Sequence, residues 1–476
     1  MQNKHLFSLL AFTMLASCTV GPDYERPQFY PDAEVAKNLK LEQAEASPVG
    51  QDWYKQFNDP ALNRLIERAW AASPNVRIAV HKLREARYGL LRSNVQSFPM
   101  LDINAGYNYD RSSRDIGFSI DRDYYQLGMD ASWELDIWGG NRRAAEASRA
   151  LFEAAGANLD NVRLVMAAEV ANNYISLRTA QEQLRVAREN LKLQQEIYQL
   201  VQQKYDVGLT DFNQAQYAVE STKTLIPQLE SEIEAYKNAV AVLLGVLPDD
   251  LAGTLDNTAD NLVRRRLSYN LKQLYRLRVD VIRNRPDVRL AEQNLIAQNA
   301  AVGEAVANLY PDVSISGFVG WQSGKIAGLI NGDHSTYSYA PALKLPFFHW
   351  NQLMNTVNEQ KEVKEQYVLS YQNAVLSAVS ELRNSVVSIR QERQRNQAYR
   401  KSVKNMRNVL KYTLSKYKNG LIDFNDLLQA EQELLKAQTE LLASNGSIYQ
   451  YLIAFYKAAG GGFNSRFAVC VDCAKT

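Results

Sequence analysis

Covalent chemistry is most legible in this sequence at its three cysteines, Cys18, Cys470 and Cys473. Lys4 precedes an apolar run from Leu6 to Ala16, and the run ends in LASC, residues 15–18. A positive start, an apolar stretch and small residues make an export signal. A cysteine at that point is where a diacylglycerol thioether forms, which predicts removal of residues 1–17 and a lipidated Cys18 as the mature N-terminus; the plainer alternative is an unmodified Cys in an ordinary signal. Cys470 and Cys473 form a lone CVDC able to close a short disulfide in an oxidising compartment. Metal ligation is the weaker reading, because a closed site takes four soft or imidazole ligands. The mature chain otherwise offers only Cys18, His81, His334 and His349, on unrelated stretches. No phosphate loop, nucleophile elbow or catalytic pairing of Ser or Asp is present, so neither an enzyme nor a bound cofactor or metal is expected.

The 54 basic residues nearly balance the 52 acidic ones, so no net field draws the chain to nucleic acid. With 46% apolar and 22% charged residues the 476-residue chain has a folded composition. After the signal no window holds eighteen consecutive apolar residues, so any membrane crossing must be made by strands.

The elements that position these residues are written twice. KYDVGLTDFN at 204–213 returns as KYKNGLIDFN at 416–425, identical at seven of ten positions and 212 residues later. The same offset maps SPNVRIA, 73–79, onto RPDVRLA, 285–291, which implies a tandem duplication with two pseudosymmetric copies. Proline placement and apolar period predict helices at about 60–98, 141–206 and 211–244 in the first copy, and at about 286–309, 351–418 and 421–457 in the second. A middle helix of roughly 65 residues is about 100 Å long and needs lateral partners along its length. Leu184, Ala187, Leu191, Tyr198, Val201 and Tyr205 form an expected heptad seam, interrupted by Gln194; Val403, Met406, Leu410, Thr413 and Tyr417 form its counterpart. Short returns favour antiparallel pairs within the chain over a coiled-coil dimer.

Between the first and middle helix of each copy the apolar period falls to two, the mark of half-buried strands. Leu101, Ile103, Ala105, Tyr107 and Tyr109 form one face, and Tyr125, Leu127, Met129, Ala131, Trp133, Leu135 and Ile137 continue it after a loop at 110–122. The second copy repeats the hairpin with Val313, Ile315, Val319 and Trp321, then Tyr337, Tyr339, Leu343, Leu345 and Phe347, around a loop at 322–335. Phe318 breaks the alternation, and Pro341 and Pro346 require an edge, a bulge or a strand end. Trp133, Trp138, Trp321 and Tyr337 suit the aromatic girdles of an outer-membrane barrel. Four strands leave open edges and bacterial barrels have at least eight, so several chains must share one barrel, of 8, 12 or 16 strands.

Four stretches carry a family resemblance: CTVGPDYERP at 18–27, DWYKQFNDPALNRLIERA at 52–69, RPDVRLAEQNLIAQNAAVGEAVANLYPDVSISG at 285–317, and AFYKAAGGG at 454–462. Together they resemble the TolC-like outer-membrane factors of tripartite efflux pumps, and more closely the OprM/NodT-type lipoproteins. The resemblance implies a mainly α fold with a membrane β part: a homotrimer with a 12-stranded β-barrel, four strands per chain, continuous with a long-helix α-barrel across the periplasm. It implies a passive exit duct for drugs or other toxic small molecules, fed by a periplasmic adaptor and an inner-membrane transporter of the resistance-nodulation-division class. Thr19 after the Cys resembles lipoproteins sent on to the outer membrane, so a lipid-anchored, outer-membrane location is expected.

By the same resemblance the repeated turns DVGLTDF and NGLIDF are the periplasmic tips. Gly208, Leu209 and Thr210, with Gly420, Leu421 and Ile422, become docking residues for the adaptor, and Tyr417, Asp426 and Gln429 become gate residues. Gly208 and Gly420 are expected as helix C-caps and Asp211 and Asp423 as N-caps. The match is incomplete: Gln429 stands where the family has a second acid, and Ile422 where some relatives have a locking arginine. A ring of three Asp426 would attract cations.

The resulting plan is a signal at 1–17, an anchored segment at 18–59, a first repeat at 60–244 with its hairpin at about 100–138, a linker at 245–284, a second repeat at 285–457 with its hairpin at about 311–348, and a tail at 458–476. The other function compatible with this plan is the exit duct of a type I protein secretion system; the lipidated start and the RPDV and GGG signatures favour efflux.

Overall fold

The computed structural model describes residues 19–31, 34, 37, 50–111, 113, 115, 121–205, 212–251, 255–256, 261–265 and 280–463. Cys18, Gly208, Leu209, Thr210, Asp211, Cys470 and Cys473 lie outside the described residues. The chain divides into two compact units, one of Met1–Gln28, Lys82–Gly156 and Leu290–Gln372, the other of Phe29–His81, Ala157–Arg289 and Asn373–Thr476.

Helix α1 is Pro60–Ala72, α2 Pro74–Val95, α3 Gly140–Tyr205, α4 Asn213–Leu244, α5 Pro286–Ala307, α6 Trp350–Lys418 and α7 Phe424–Ala458. The strands are β1 Met100–Arg111, β2 Asp121–Leu135, β3 Asp312–Ser323 and β4 Ser335–Lys344. Helices α2 and α5 both have 22 residues and strands β1 and β3 both have 12, and the second member of each pair starts 212 residues after the first, 286 against 74 and 312 against 100. The middle helices have 66 and 69 residues.

Three boundaries depart from the sequence-based expectation. The expected first helix is two, parted at Ser73, whose ψ of 130° is extended; the ring of Pro74 disfavours helical geometry in the residue before it. Strand β2 stops at Leu135, short of Ile137, because Asp136 turns to cap α3: its carboxylate oxygens accept from the backbone N–H groups of Asn141 and Arg142, both at 3.0 Å. Helix α4 runs through Pro227, which lies on an exposed face where water can satisfy the freed carbonyl.

In the strand-bearing unit the four strands form one antiparallel sheet in the order β1-β2-β3-β4. The N-terminal segment runs extended beside it. Val20 N–H donates to Trp138 O at 3.0 Å, and the buried Arg143 of α3 donates to Val20 O at 3.2 Å and to Asp23 at 2.8 Å. From α5, Asn299 donates to Pro22 O at 2.9 Å and Glu292 accepts from Tyr24 at 3.2 Å. Gly21 crosses α5 at Gly303, so close that a Cβ on Gly21 would collide with the Gly303 backbone.

The helical unit is knitted by residues of the other family-like stretches. Trp53 stacks on Tyr456 at 5.3 Å, and Tyr456 donates to Gln56 at 2.6 Å. The buried Arg285 donates to Ala458 O at 3.0 Å and pairs with Asp287 and Glu381, both at 2.7 Å. Asp59 caps α1 through Ala61 and Leu62 and accepts from Tyr174 OH at 2.9 Å. The α6 seam is as expected, with Val403, Leu410 and Tyr417 buried. The α3 seam is shifted: Ala187, Asn190, Gln194, Ile197 and Val201 are the buried positions, while Leu184, Leu191 and Tyr198 are half-buried. Gln194 is therefore a member of the seam, not an interruption.

Candidate functional site

Two places combine unusual exposure with the residues singled out by sequence. The first is the sheet. Pairing aligns Ile103, Met129, Val319 and Tyr337 in one row across all four strands. They are 80%, 40%, 61% and 80% exposed, an apolar face that the described residues leave open. The opposite face is polar: Asn104 donates to Asp130 at 3.2 Å and Gln322 to Gln126 at 3.2 Å.

Phe318 lies on the polar face, and its neighbours explain the broken alternation. A Cβ on Gly128 or Gly320 would come within 2.5 Å and 2.8 Å of its ring, so the two glycines form the floor on which the ring lies. Pro341 sits in β4, an edge strand of the sheet, and Pro346 lies beyond its end at Lys344.

The aromatic residues fall at both ends of the sheet. Trp133 pairs with Ile315, and Trp321, six residues further along β3, pairs with Leu127. Six residues of strand span about 20 Å, close to the ~25 Å apolar band of an outer-membrane barrel. Trp133 Nε1 donates to Ser97 O at 3.2 Å, and Trp138 donates to Pro311 O at 3.0 Å and stacks on Tyr310 at 4.7 Å.

The second place is the turn between α6 and α7. Gly420 has φ +71°; its N–H donates to Tyr417 O at 3.1 Å and the Leu421 N–H to Lys416 O at 3.0 Å, a Schellman closure of the long helix. Leu421 is 71% exposed, while Ile422 packs against the core of Leu410, Tyr417, Phe424 and Leu427. Asp423 stands at the N-cap position without a side-chain hydrogen bond to the helix. Asp426 and Gln429 share an exposed face, one turn apart, and Leu427 and Ala430 turn inward. Tyr417 is brought into the core, edge-on to Phe424 at 5.9 Å, and burial raises its hydroxyl pKa.

One residue here escaped the sequence-based expectation. Glu431 is 3% exposed, its Oε1 has no hydrogen-bond partner, and burial pushes its carboxyl up to about 7. Its signal was available: Phe424, Leu427, Glu431 and Leu434 follow 3-4-3 spacing, so an acid occupies a core position of α7. Elsewhere on these helices, α3, α4 and α7 border an open groove of about 380 Å³ lined by Gln194, Thr222, Leu225, Gln432 and Thr439.

Comparison with known proteins gives a consistent result. A family model described as outer membrane efflux protein matches residues 65–246 and 277–461. Nodulation protein T of Rhizobium leguminosarum bv. trifolii is 26% identical over 462 residues, 96% of each chain. The toluene efflux pump outer membrane protein TtgF of Pseudomonas putida is 26% identical over 478 residues, 97% of each. Among solved structures the outer-membrane channel OprN superposes with a TM-score of 0.84 at 30% identity, over 94% of this chain and 100% of that one. The Campylobacter jejuni CmeC outer membrane channel shares the fold, with a TM-score of 0.85 at 23% identity over 94% and 96%.

Proposed function

The chain belongs to the outer membrane efflux protein family, and on that premise we propose that it is the outer-membrane exit duct of a tripartite efflux pump, passing toxic small molecules from periplasm to exterior. The observation that carries this reading is the row Ile103, Met129, Val319 and Tyr337: an apolar sheet face, girdled by aromatics, whose strands β1 and β4 have open edges. Hydrocarbon accepts such a face but not such edges, so copies must pair edge to edge. Three copies give twelve strands and a closed barrel whose polar face, with Asn104, Asp130 and Gln126, lines water.

The two segments matched by one family model, and the equal lengths and common offset of α2 with α5 and of β1 with β3, support a tandem duplication. The long helices of three copies then form the periplasmic tunnel. Its tips carry Gly420, Leu421 and Ile422, with Gly208, Leu209 and Thr210 as counterparts, and dock a periplasmic adaptor. Leu421 is an apolar contact point and Asp426 and Gln429 are the exposed pair suited to the constriction. An inner-membrane transporter of the resistance-nodulation-division class drives the flow, and a lipid on Cys18 holds the start of the chain at the membrane. The cargo is of the solvent or antibiotic class that relatives are named for. Deleting the gene and measuring both drug accumulation and secreted protein tests the reading: accumulation should rise with secretion unchanged. Unchanged drug susceptibility with lost secretion would instead make the chain the duct of a type I secretion system.

A further inference from the structure

The second hairpin repeats the first in its hydrogen-bonded register as well as in its sequence. Met100 pairs with Ser132 in the first and Asp312 with Lys344 in the second, each residue 212 positions on from its counterpart. Where such hairpins follow one another in a sheet, the second strand of one lies beside the first strand of the next. Within the chain that seam is β2 against β3. Between copies paired edge to edge, the proposed arrangement on which the contact below depends, the same seam is β4 of one copy against β1 of the next. The internal seam is therefore a template for the external one.

At the helix end of the internal seam an aromatic pair closes the joint. Trp138, two residues before α3, stacks on Tyr310 with ring centroids 4.7 Å apart and planes 23° from parallel, and its Nε1 donates to Pro311 O at 3.0 Å. Both partners have counterparts at the outer edges of the sheet. The turn that ends α5, where the Tyr310 N–H donates to Ala307 O at 3.0 Å, is repeated 212 residues earlier, where the Phe98 N–H donates to Val95 O at 3.0 Å; a proline follows each aromatic residue. After β2 the Ile137 N–H donates to Leu135 O at 2.7 Å, and after β4 the Phe347 N–H donates to Leu345 O at 2.9 Å, the donor standing three residues ahead of the helix in each case. Phe348 thus takes the place of Trp138, and Phe98 the place of Tyr310.

The counterparts differ from their templates in exposure. Trp138 is half-buried and Tyr310 is 38% exposed, whereas Phe98 is 67% and Phe348 93% exposed. Phe98 leads into β1 and Phe348 follows β4, the two edge strands, so the halves of one stack stand at opposite edges of the sheet. One chain keeps them apart, and a ring of copies brings the Phe348 end of each against the Phe98 end of the next. Within its own chain Phe348 meets Phe347 edge-on at 5.4 Å. Phenylalanine has no N–H to offer Pro99 O, so the joint between copies is purely apolar, of the stacked or edge-to-face kind that aromatic pairs favour.

We propose that Phe348 of one copy packs against Phe98 of the neighbouring copy, repeating between chains the Trp138–Tyr310 stack made within the chain. The contact clamps each joint of the shared barrel at its helix end. The test uses the full-length protein in membranes, with Cys470→Ser and Cys473→Ser as background and Phe98→Cys combined with Phe348→Cys. A short bis-maleimide should link chain to chain in this pair, giving a ladder that ends at the number of copies in the assembly, and neither cysteine alone should give more than background. Phe98→Cys with Tyr337→Cys, at the far end of β4, should also give none. The mass of the native oligomer before cross-linking reports assembly separately. An intact oligomer without the ladder, or a ladder as strong from Phe348→Cys alone or from the Tyr337→Cys pair, overturns the contact and leaves edge-to-edge pairing standing. A monomeric wild type overturns the pairing itself and the contact with it. Should the cysteine pair not accumulate, benzoylphenylalanine in place of Phe348 decides: a dimer-sized product whose linked peptide holds Phe98 supports the contact, and adducts to lipid alone overturn it.

Discussion

The sheet and the helix seams of this chain bury opposite things. In the sheet the apolar row is outside, with Ile103 and Tyr337 each 80% exposed, and Asn104, Gln126 and Asp130 on the other face. In the helical unit polar groups are inside: Gln194, Glu392 and Glu431 each place a buried oxygen without a hydrogen-bond partner. The difference is one of solvent and of specificity. The sheet is complementary to hydrocarbon, where apolar side chains belong on the surface. The helix seams lie beside water and give up some stability by holding polar groups at core positions, a device that elsewhere fixes helix register at a cost in stability.

The largest expected effect breaks the sheet side of this contrast. Met129→Arg puts a charge in the middle of the apolar row and should cost roughly 2–4 kcal/mol per chain at the bilayer midplane, felt once in every copy. On the proposed reading, the yield of a shared-barrel oligomer in membrane fractions and the resistance of cells to drugs should both fall to the level of a gene deletion. Asn104→Lys, on the opposite face of the same sheet, should leave assembly intact. Equal assembly of the two variants would mean that the apolar face does not meet lipid.

The helical side is tested through Glu431. Burial raises its pKa from 4.5 to about 7. For an acid whose folded value is raised, stability is fully present below the unfolded value, near pH 4.5, and is lost as pH rises through about 7. The loss by pH 8 is on the order of 3 kcal/mol. Glu431→Gln carries no such charge, so thermal unfolding of the native protein should fall relative to this variant between pH 5 and pH 8. Parallel pH profiles would show that the buried carboxyl does not titrate in this range.

How much of this was legible in advance divides along the same line. The alternation in β1 and β3 stood out because a sheet with one apolar and one polar face repeats every second residue, and Phe318, which departs from it, needed the cross-strand neighbours Gly128 and Gly320 to make sense. The turn at Gly420 was equally readable, since a left-handed cap almost demands glycine. The α3 seam was misplaced because its core positions include Asn190 and Gln194, and a reading that tracks apolar residues slides to Leu191 and Tyr198 beside them. The extended segment from Thr19 to Arg26 has no period at all; only its docking against Arg143, Glu292 and Asn299 explains why those residue types stand where they do. Asp136 looked like one more polar strand residue, because a cap is defined by the backbone N–H groups its carboxylate meets in space and not by its own place in an alternating run.

The smallest expected effects sharpen the contrast at the α6–α7 turn, where helix-capping residues and the proposed docking residues coincide. Gly420→Ala meets no atom within 4 Å of the new Cβ, so its cost is purely that of φ +71° for a residue with a side chain, about 1–2 kcal/mol. Asp423→Ala, which a sequence rule would score as the loss of a cap at ~0.5–2 kcal/mol, should cost no more than a few tenths, because the Asp423 side chain makes no capping bond to α7. Thermal unfolding of the two variants at one pH gives the order directly. If Asp423→Ala destabilises as much as Gly420→Ala, the carboxylate does act as a cap in the assembled protein. If it does not, a loss of resistance in that variant reports on docking at the tip, with Leu421 beside it, and not on the stability of the helix.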